Sequence, residues 1–384
     1  VCLLKIVKRQ YRAGDEIQIN RLYKLITNMD RSREEYRWEW LETWDGQGDI
    51  WLAFDEDRKE GDQLIMQYGL IPTPFSFWGE PYLAGKTENC MSHPDCRGAG
   101  VYLPHEKEGF EDAKRKFQVF FTTTGNRAKG APGAVRRKLG YKGLDAWVEY
   151  FYLTDSDYID RQITRKLSKK WGSYAGLLKS ISYLSAKLIS AYFRPASDPP
   201  IGRGQIKLFD SRTVPLEQIE QFWNRNKGLY GITIDRTSAY LDWRINQNPC
   251  FNHRYLVICE GEKTIGYVIF YLNSNNVFRV VDVMADQKQV ALFTRLFREL
   301  VAIARKEKVG AVVCSTVEGN TLLREVLRKS GFVCLESLSF LKRQAAKTEE
   351  KPFLVYVSES IPDYQRAYDP ANWYITALVK EGRR

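Results

Sequence analysis

The chain has 384 residues, 44% of them hydrophobic, and a formal net charge of +11. That length exceeds what one average hydrophobic core organises, so two domains are expected, and no apolar run approaches the ~18 residues that would span a bilayer. The positive field draws polyanions, but no zinc finger, RNP-type aromatic motif or long basic tract argues for nucleic acid.

Seven cysteines, odd in number and mostly embedded in apolar strand-like stretches, read as reduced, buried thiols in a cytoplasmic protein. Cys90, His93 and Cys96 have metal-like spacing, yet no fourth ligand is evident, so no metal is expected. The first five residues carry neither Met nor a signal-peptide pattern, which places the start inside a longer reading frame.

In chain order, the first region reads as a strand over 3–7, helices over 16–28 and 32–43, and a strand over 50–55. Ser32 followed by Glu35 is a capping box that opens the second helix. A long strand or hairpin over 61–79 is expected to break at Pro72 and Pro74. A strand over 82–92 precedes a helix over 102–118, where Phe110, Ala113 and Phe117 recur at helical spacing and Pro104 falls in the tolerant first turn. A strand over 119–122, a helix over 131–139 stopped by Gly140 and a strand over 146–153 complete the unit.

Residues 156–204 separate this unit from the next. From Arg161 to Arg194 there are eight Lys or Arg residues and no acid, with Leu177, Leu178, Ile181, Leu184 and Leu188 at helical spacing. One reading is a linker helix packed on both domains. The other is an interfacial helix on anionic lipid, which would place the protein peripherally at the inner membrane face. Pro199, Pro200, Gly202 and Gly204 end the segment as a hinge.

The region 205–384 repeats the order: a hairpin over 255–271 turning at Gly261, a strand over 277–285, a helix striped by Phe293, Phe297, Leu300 and Ala304, a strand over 310–317, and a helix over 320–330 capped by Gly331.

The most informative segment is His93-Pro94-Asp95-Cys96-Arg97-Gly98-Ala99-Gly100. An Arg-Gly-x-Gly turn that opens a helix offers bare backbone N–H groups, a close approach and the positive end of a helix dipole, a combination suited to a pyrophosphate. It is neither the dinucleotide fingerprint, because Leu103 stands where the third glycine belongs, nor a Walker loop.

With its strand and helix, this segment resembles the acyl-CoA loop of the GNAT N-acetyltransferases. Lys138-Leu139-Gly140-Tyr141 is similar to the ending of that family's last helix, and Asn372-Trp373-Tyr374 is similar to the C-terminus of tandem-GNAT bacterial proteins found with surface-polysaccharide genes. The resemblance implies an α/β fold with a mixed α+β sheet, in two tandem GNAT-like domains (1–155 and 205–384) joined by the basic helical linker 156–204. It implies acetyl-CoA as donor, with Cys90, Met91 and Ser92 along the pantetheine arm, Arg97, Gly98, Ala99, Gly100, Val101 and Tyr102 on the pyrophosphate, and Asn126 near the arm. The acceptor it implies is a small-molecule amine, an amino sugar among the candidates.

Glu88 is the candidate general base or else a strand Glu facing solvent, and Tyr141 is the nearest candidate acid or else a packed core aromatic. The family's usual acid Tyr falls on Arg136 here. In the second half the loop counterpart is Asp286-Gln287-Lys288-Gln289, which has no glycine and carries an acid, so coenzyme binding is expected in the first half alone. Cys90 reads as a small buried residue rather than a nucleophile. Tyr36, Trp38, Trp40 and Trp44 are either core or the wall of an acceptor pocket. Two alternatives stay open: a Fem-like aminoacyl transferase fed by charged tRNA, and a non-catalytic coenzyme-binding or scaffold protein.

Overall fold

The computed structural model describes residues 5–123, 131–155, 158, 204–334, 352–380 and 382. The basic segment 161–194 and Asn126 lie outside the described residues.

Two units of one layout follow each other. The first runs β1 (Ile6–Gln10), α1 (Glu16–Thr27), α2 (Arg33–Tyr36) with a π-turn (Arg37–Leu41), β2 (Asp49–Asp55), β3 (Leu64–Phe77), β4 (Glu80–Ser92), α3 (Tyr102–Ala113), β5 (Val119–Thr122), α4 (Ala131–Lys138) and β6 (Lys142–Leu153). The second opens with β7 (Gln205–Asp210), α5 (Leu216–Asn226), a short β8 (Ile232–Ile234) and α6 (Ser238–Leu241) with its own π-turn (Asp242–Asn246). It continues with β9 (His253–Glu260), β10 (Lys263–Leu272), β11 (Val277–Ala285), α7 (Val290–Lys306), β12 (Ala311–Val317), α8 (Thr321–Lys329), β13 (Val333–Cys334) and β14 (Pro352–Val357).

The strands make one mixed sheet in the order β1-β2-β3-β4-β5-β14-β6-β12-β11-β10-β9-β7, with β8 beside β3 and β13 beside β6. Near its centre the halves exchange strands. β14 lies between β5 and β6, pairing Val355 with Phe121 on one side and Phe353 with Asp145 on the other. The far end of β6 lies between β12 and β13, with Phe151 opposite both Val313 and Val333. Strand pairing therefore crosses the chain-order division at 155 and 205.

The expected break at Pro72 and Pro74 does not occur: β3 runs through both. β2 pairs with β3 only as far as Leu70, and β8 begins pairing at Phe75. The prolines occupy the gap between these two neighbours, where one edge of β3 needs no ladder N–H. The helix expected over 32–43 is α2, opened by the predicted Ser32–Glu35 capping box and followed by the π-turn.

The two π-turns meet on the axis relating the halves. Trp38 Nε1 donates to the Trp243 carbonyl at 2.8 Å, Trp243 Nε1 donates to the Trp38 carbonyl at 2.8 Å, and the rings stack with centroids 5.7 Å apart. Both tryptophans are buried. Trp38→Ala or Trp243→Ala should each cost ~3–5 kcal/mol of stability. Each variant removes its own indole donor and the shared stack, while the other indole keeps its backbone carbonyl acceptor, so the double variant should lose less than the sum by the coupling of the stack in urea titrations.

Two buried histidines tie helices and turns to strands. His105 Nε2–H donates to the Trp51 carbonyl at 3.2 Å, and His253 Nδ1–H donates to the Ile245 carbonyl at 3.0 Å. Burial pushes His105 down to about 4 and His253 down to about 3. An unfolded histidine takes up its proton near ~6.5, so the unfolded chain binds more protons than the native one below that pH. Stability from both groups is intact above pH ~6.5 and is lost as pH falls toward the folded values, at up to ~1.4 kcal/mol per unit for each. Urea midpoints measured from pH 7 to pH 4 should fall steeply, and the His105→Gln/His253→Gln variant should show a much flatter slope.

Candidate functional site

β4 positions the site. It pairs with β3 along its length, with a bulge opposite Tyr68 where Asn89 takes φ +48°. On its other side β5 runs parallel to it only from Ala84 to Lys86. From Thr87 to Ser92 the two strands have separated, and β5 is already held on its far side by β14. A strand edge open on one side accepts an extended ligand as an added strand would.

The glycine turn lies at the end of this edge. His93 leads into a 3-10 turn over Pro94–Cys96, and Cys96 is buried beneath it. Arg58 clamps the turn from the β2–β3 connection, donating to Asp95 at 2.8 Å and to His93 Nε2 at 3.2 Å. Burial and then the Arg58 charge hold His93 below its ordinary value, which keeps the imidazole neutral. Gly98 and Gly100 take φ of +83° and +74°, a conformation that favours glycine. A Cβ built on either would meet nothing within 4 Å, so the turn opens outward. α3 follows with no side-chain cap and no acid in its first turn. Its N-terminal N–H groups and those of the turn face an exposed surface beside Arg97.

Buried polar atoms without a hydrogen bond of normal geometry collect along the same stretch. They include both amide atoms of Gln67, the Tyr68 hydroxyl and the Ser92 hydroxyl. Such groups are rare in finished interiors and mark places where a polar ligand or water completes the pairing. The turn thus lies beside buried polar groups on β3 and at the end of β4.

The two candidate catalytic residues are not brought together. Glu88 lies on the face of β4 covered by α1 and the π-turn, ion-paired with Lys86 at 2.7 Å. Tyr141 lies on the opposite face, with its hydroxyl 3.1 Å from Thr87 Oγ1 and its ring packed among Phe110, Phe120 and Tyr356. Burial raises the Tyr141 hydroxyl well above its usual value.

Beside Tyr141 lies Arg136 of α4, the position on which the usual acid Tyr falls, 1% exposed and with its Nε 3.2 Å from Glu106 of α3. Of the three consecutive basic residues that end α4, Arg136, Arg137 and Lys138, the first is buried. Cys90 is close enough to feel the Arg136 charge, yet burial dominates and pushes its thiol up to about 12. It stays protonated and is no nucleophile. Among the described residues no group of three or more His, Cys, Asp or Glu side chains is placed to hold a metal ion.

Of the aromatic residues near α2, Tyr36 and Trp40 are core, and Trp38 joins the halves. Tyr36 and Trp38 also line a cavity of about 680 Å³ with Glu16, Arg33, Glu42 and, from the second half, Gln247.

The second half repeats the separation of strands: β11 pairs with β12 from Val277 to Val280 and then leaves it. Here the gap is filled by the chain's own C-terminal segment, residues 373–379. The Ile375 carbonyl accepts from Thr316 Oγ1 at 2.6 Å and from Asn320 Nδ2 at 3.2 Å. Tyr374 donates its hydroxyl to the Val283 carbonyl at 2.6 Å, and Thr376 donates to Asp282 at 2.7 Å. At the loop counterpart, Asp286 accepts the Lys288 N–H at 2.9 Å. A carboxylate of this chain thus uses the N–H group that an anion would need.

No protein-family model and no curated protein sequence matches the chain. Solved structures do. A GCN5-related N-acetyltransferase from Anabaena variabilis is similar at 12% identity and a TM-score of 0.57, over 92% of this chain and 73% of that one. Eis1 from Mycobacterium abscessus is similar at 12% identity and a TM-score of 0.54, over 95% and 76%. A GCN5-related N-acetyltransferase from Kribbella flavida is similar at 9% identity and a TM-score of 0.52, over 92% and 71%. The chain has the fold of these proteins, and the likeness spans both halves.

Proposed function

We propose that the protein is an acyl-CoA-dependent N-acyltransferase with a single donor site, in its first half, and a small-molecule amine as acceptor. The observation that carries this reading is the contrast between the two halves. In the first, an open glycine turn on an uncapped helix adjoins a free edge of β4, with unfinished buried polar groups on β3 and at Ser92 close by. In the second, the same place is closed by Asp286 and residues 373–379.

Bound there, the coenzyme would supply an acyl group activated as a thioester. The turn 97–102 would hold its pyrophosphate through backbone N–H groups and Arg97, and Cys90, Met91 and Ser92 would offer main-chain groups to the arm. Glu88, on the face shared with the π-turn and held by Lys86, is the carboxylate best placed to take a proton from an amine arriving on that side. Tyr141 serves packing and orients Thr87. The 680 Å³ cavity between α1, α2 and Gln247 is large enough for an amino sugar or a comparable polar amine.

A second reading, a coenzyme-binding protein without turnover, is favoured by the ion pair at Arg136, where an acid would be expected. Binding without product across a broad amine panel would support it. A donor carried on tRNA has no need of the open turn, which weighs against the aminoacyl-transferase alternative.

Calorimetric titration with acetyl-CoA should show micromolar binding at one site per chain. Gly100→Leu should weaken it at least tenfold while leaving the thermal unfolding profile nearly intact. The strain of a positive φ costs only ~1–2 kcal/mol, and the added side chain enters open space. Asp286→Ala should leave affinity unchanged. Equal affinity in the Gly100 variant would sink the reading, and a clear loss in the Asp286 variant would show that the second half binds as well.

A further inference from the structure

The second half buries a guanidinium with no carboxylate to balance it. Trp38 and Trp243 hold the same place in the two π-turns, so the residues that follow them, Glu39 and Arg244, are equivalent as well. Glu39 is 4% exposed and ion-paired with Arg31 at 3.1 Å. Arg244 is 7% exposed, and among the described residues it forms no ion pair. Its neighbours are the Lys380 carbonyl, which accepts from Nη2, the Tyr240 hydroxyl, the Trp38 ring at 5.8 Å and Gly382, which packs on Nη1. None of these carries a negative charge, so the charge of a desolvated guanidinium stays uncompensated.

Arg244 lines a cavity of about 120 Å³ in the second half, together with Arg279 of β11, Ser315 of β12 and Lys380. Glu149 of β6 holds Arg279 at 2.8 Å and accepts from Ser315 at 3.0 Å. Burial raises the Glu149 carboxyl, but the Arg279 and Lys380 charges outweigh it and hold the group below its ordinary value, ionised and matched by cations. His253 adds no charge, because burial pushes it down to about 3. The other charged groups around Arg244 are already engaged. Glu39 and Lys86, which share a narrow cleft with it, pair with Arg31 and Glu88. Asp282 of β11 pairs with Arg236, and Asp242 of the π-turn accepts from the Asn246 and Gln247 amides. The rest of the wall is apolar: Phe251 stacks on Tyr271 with centroids 4.1 Å apart, beside Ile245 and Val281.

We propose that this cavity binds a small monocarboxylate with an apolar body, its carboxylate on the Arg244 guanidinium and its body against Phe251 and Tyr271. A planar guanidinium fork matches the geometry of a carboxylate through parallel N–H···O bonds. Glu149 at the margin opposes a second negative charge, which favours a carboxylate over a phosphate. A volume of about 120 Å³ admits one small molecule and excludes a nucleotide or a coenzyme. The cavity shares no residue with β4 or the glycine turn, so the site stands independently of the donor site proposed above.

Calorimetric titration of the full chain with benzoate, with its neutral isostere benzamide and with inorganic phosphate tests the assignment. Benzoate should bind at one site per chain, about tenfold or more tightly than either of the others. Arg244→Met should lose that preference while its urea midpoint stays equal to or above that of the unmodified protein, since an uncompensated buried charge gives way to an apolar chain. Arg279→Gln, which leaves Glu149 without its ion pair at the edge of the cavity, should weaken benzoate as well. Equal affinity for benzoate and benzamide overturns the proposal, as does tighter binding of phosphate or an unchanged benzoate affinity in Arg244→Met. Failure of the unmodified protein to bind benzoate overturns it too. The comparison of the three ligands on the unmodified protein needs no variant to fold.

Discussion

A strand buried in the middle of a sheet must pair both of its edges, since a buried backbone N–H or C=O without a partner costs about as much as a lost hydrogen bond. Here the strands that satisfy β5 and the far end of β6 come from opposite ends of the chain. β14 completes the first half between β5 and β6, and β6 completes the second between β12 and β13. Neither half can close its sheet from its own sequence. The Trp38–Trp243 exchange of hydrogen bonds adds a second join on the same axis. The relative placement of the halves is thus set by main-chain pairing, which is directional and admits no one-residue slip without turning every side chain over.

The same pairing creates the clefts. Because β14 holds β5 on one side, β5 can follow β4 for only three residues before the two part. β12, held by β6, leaves β11 in the same way. One geometric cause thus makes two equivalent gaps, and side chains decide their fates. In the second, Thr316, Asn320 and Asp282 turn the gap into a socket for residues 373–379, with the partners of a folded core. In the first, no equivalent segment is present among the described residues, and the adjacent polar groups stay incomplete.

Much of this was legible from the sequence, because the informative signals were local. The capping box at Ser32, the stripe on α7, the Gly140 and Gly331 stops and the glycine turn are each fixed within a few residues, and each appears where it was read. The misreadings share another cause. Pro72 and Pro74 looked like strand breakers because the sequence does not reveal which neighbours β3 has at that point. The exchange of β6 and β14 joins residues some two hundred positions apart, and no periodicity encodes a partner. The burial of Arg136 was not legible, because burial of a guanidinium depends on Glu106, thirty residues earlier on another helix. Asn126, the one candidate read from the β5–α4 connection, lies outside the described residues.

The distribution of buried charge separates the halves more sharply than their shapes do. Arg31 with Glu39, Lys86 with Glu88 and Arg136 with Glu106 all surround β4, on both of its faces. The second half has Arg236 with Asp282, and its partners there include Thr376 of the C-terminal segment. Three desolvated pairs around one strand are an expensive way to fill space that apolar side chains would fill more cheaply. Their placement puts fixed charges on both faces of β4, beside the stretch from which β5 has parted. Pre-set charges in a water-poor site are worth more than mobile ones, because nothing has to reorganise when the reacting groups arrive. In the second half the equivalent gap is sealed by ordinary hydrogen bonds and aromatic packing.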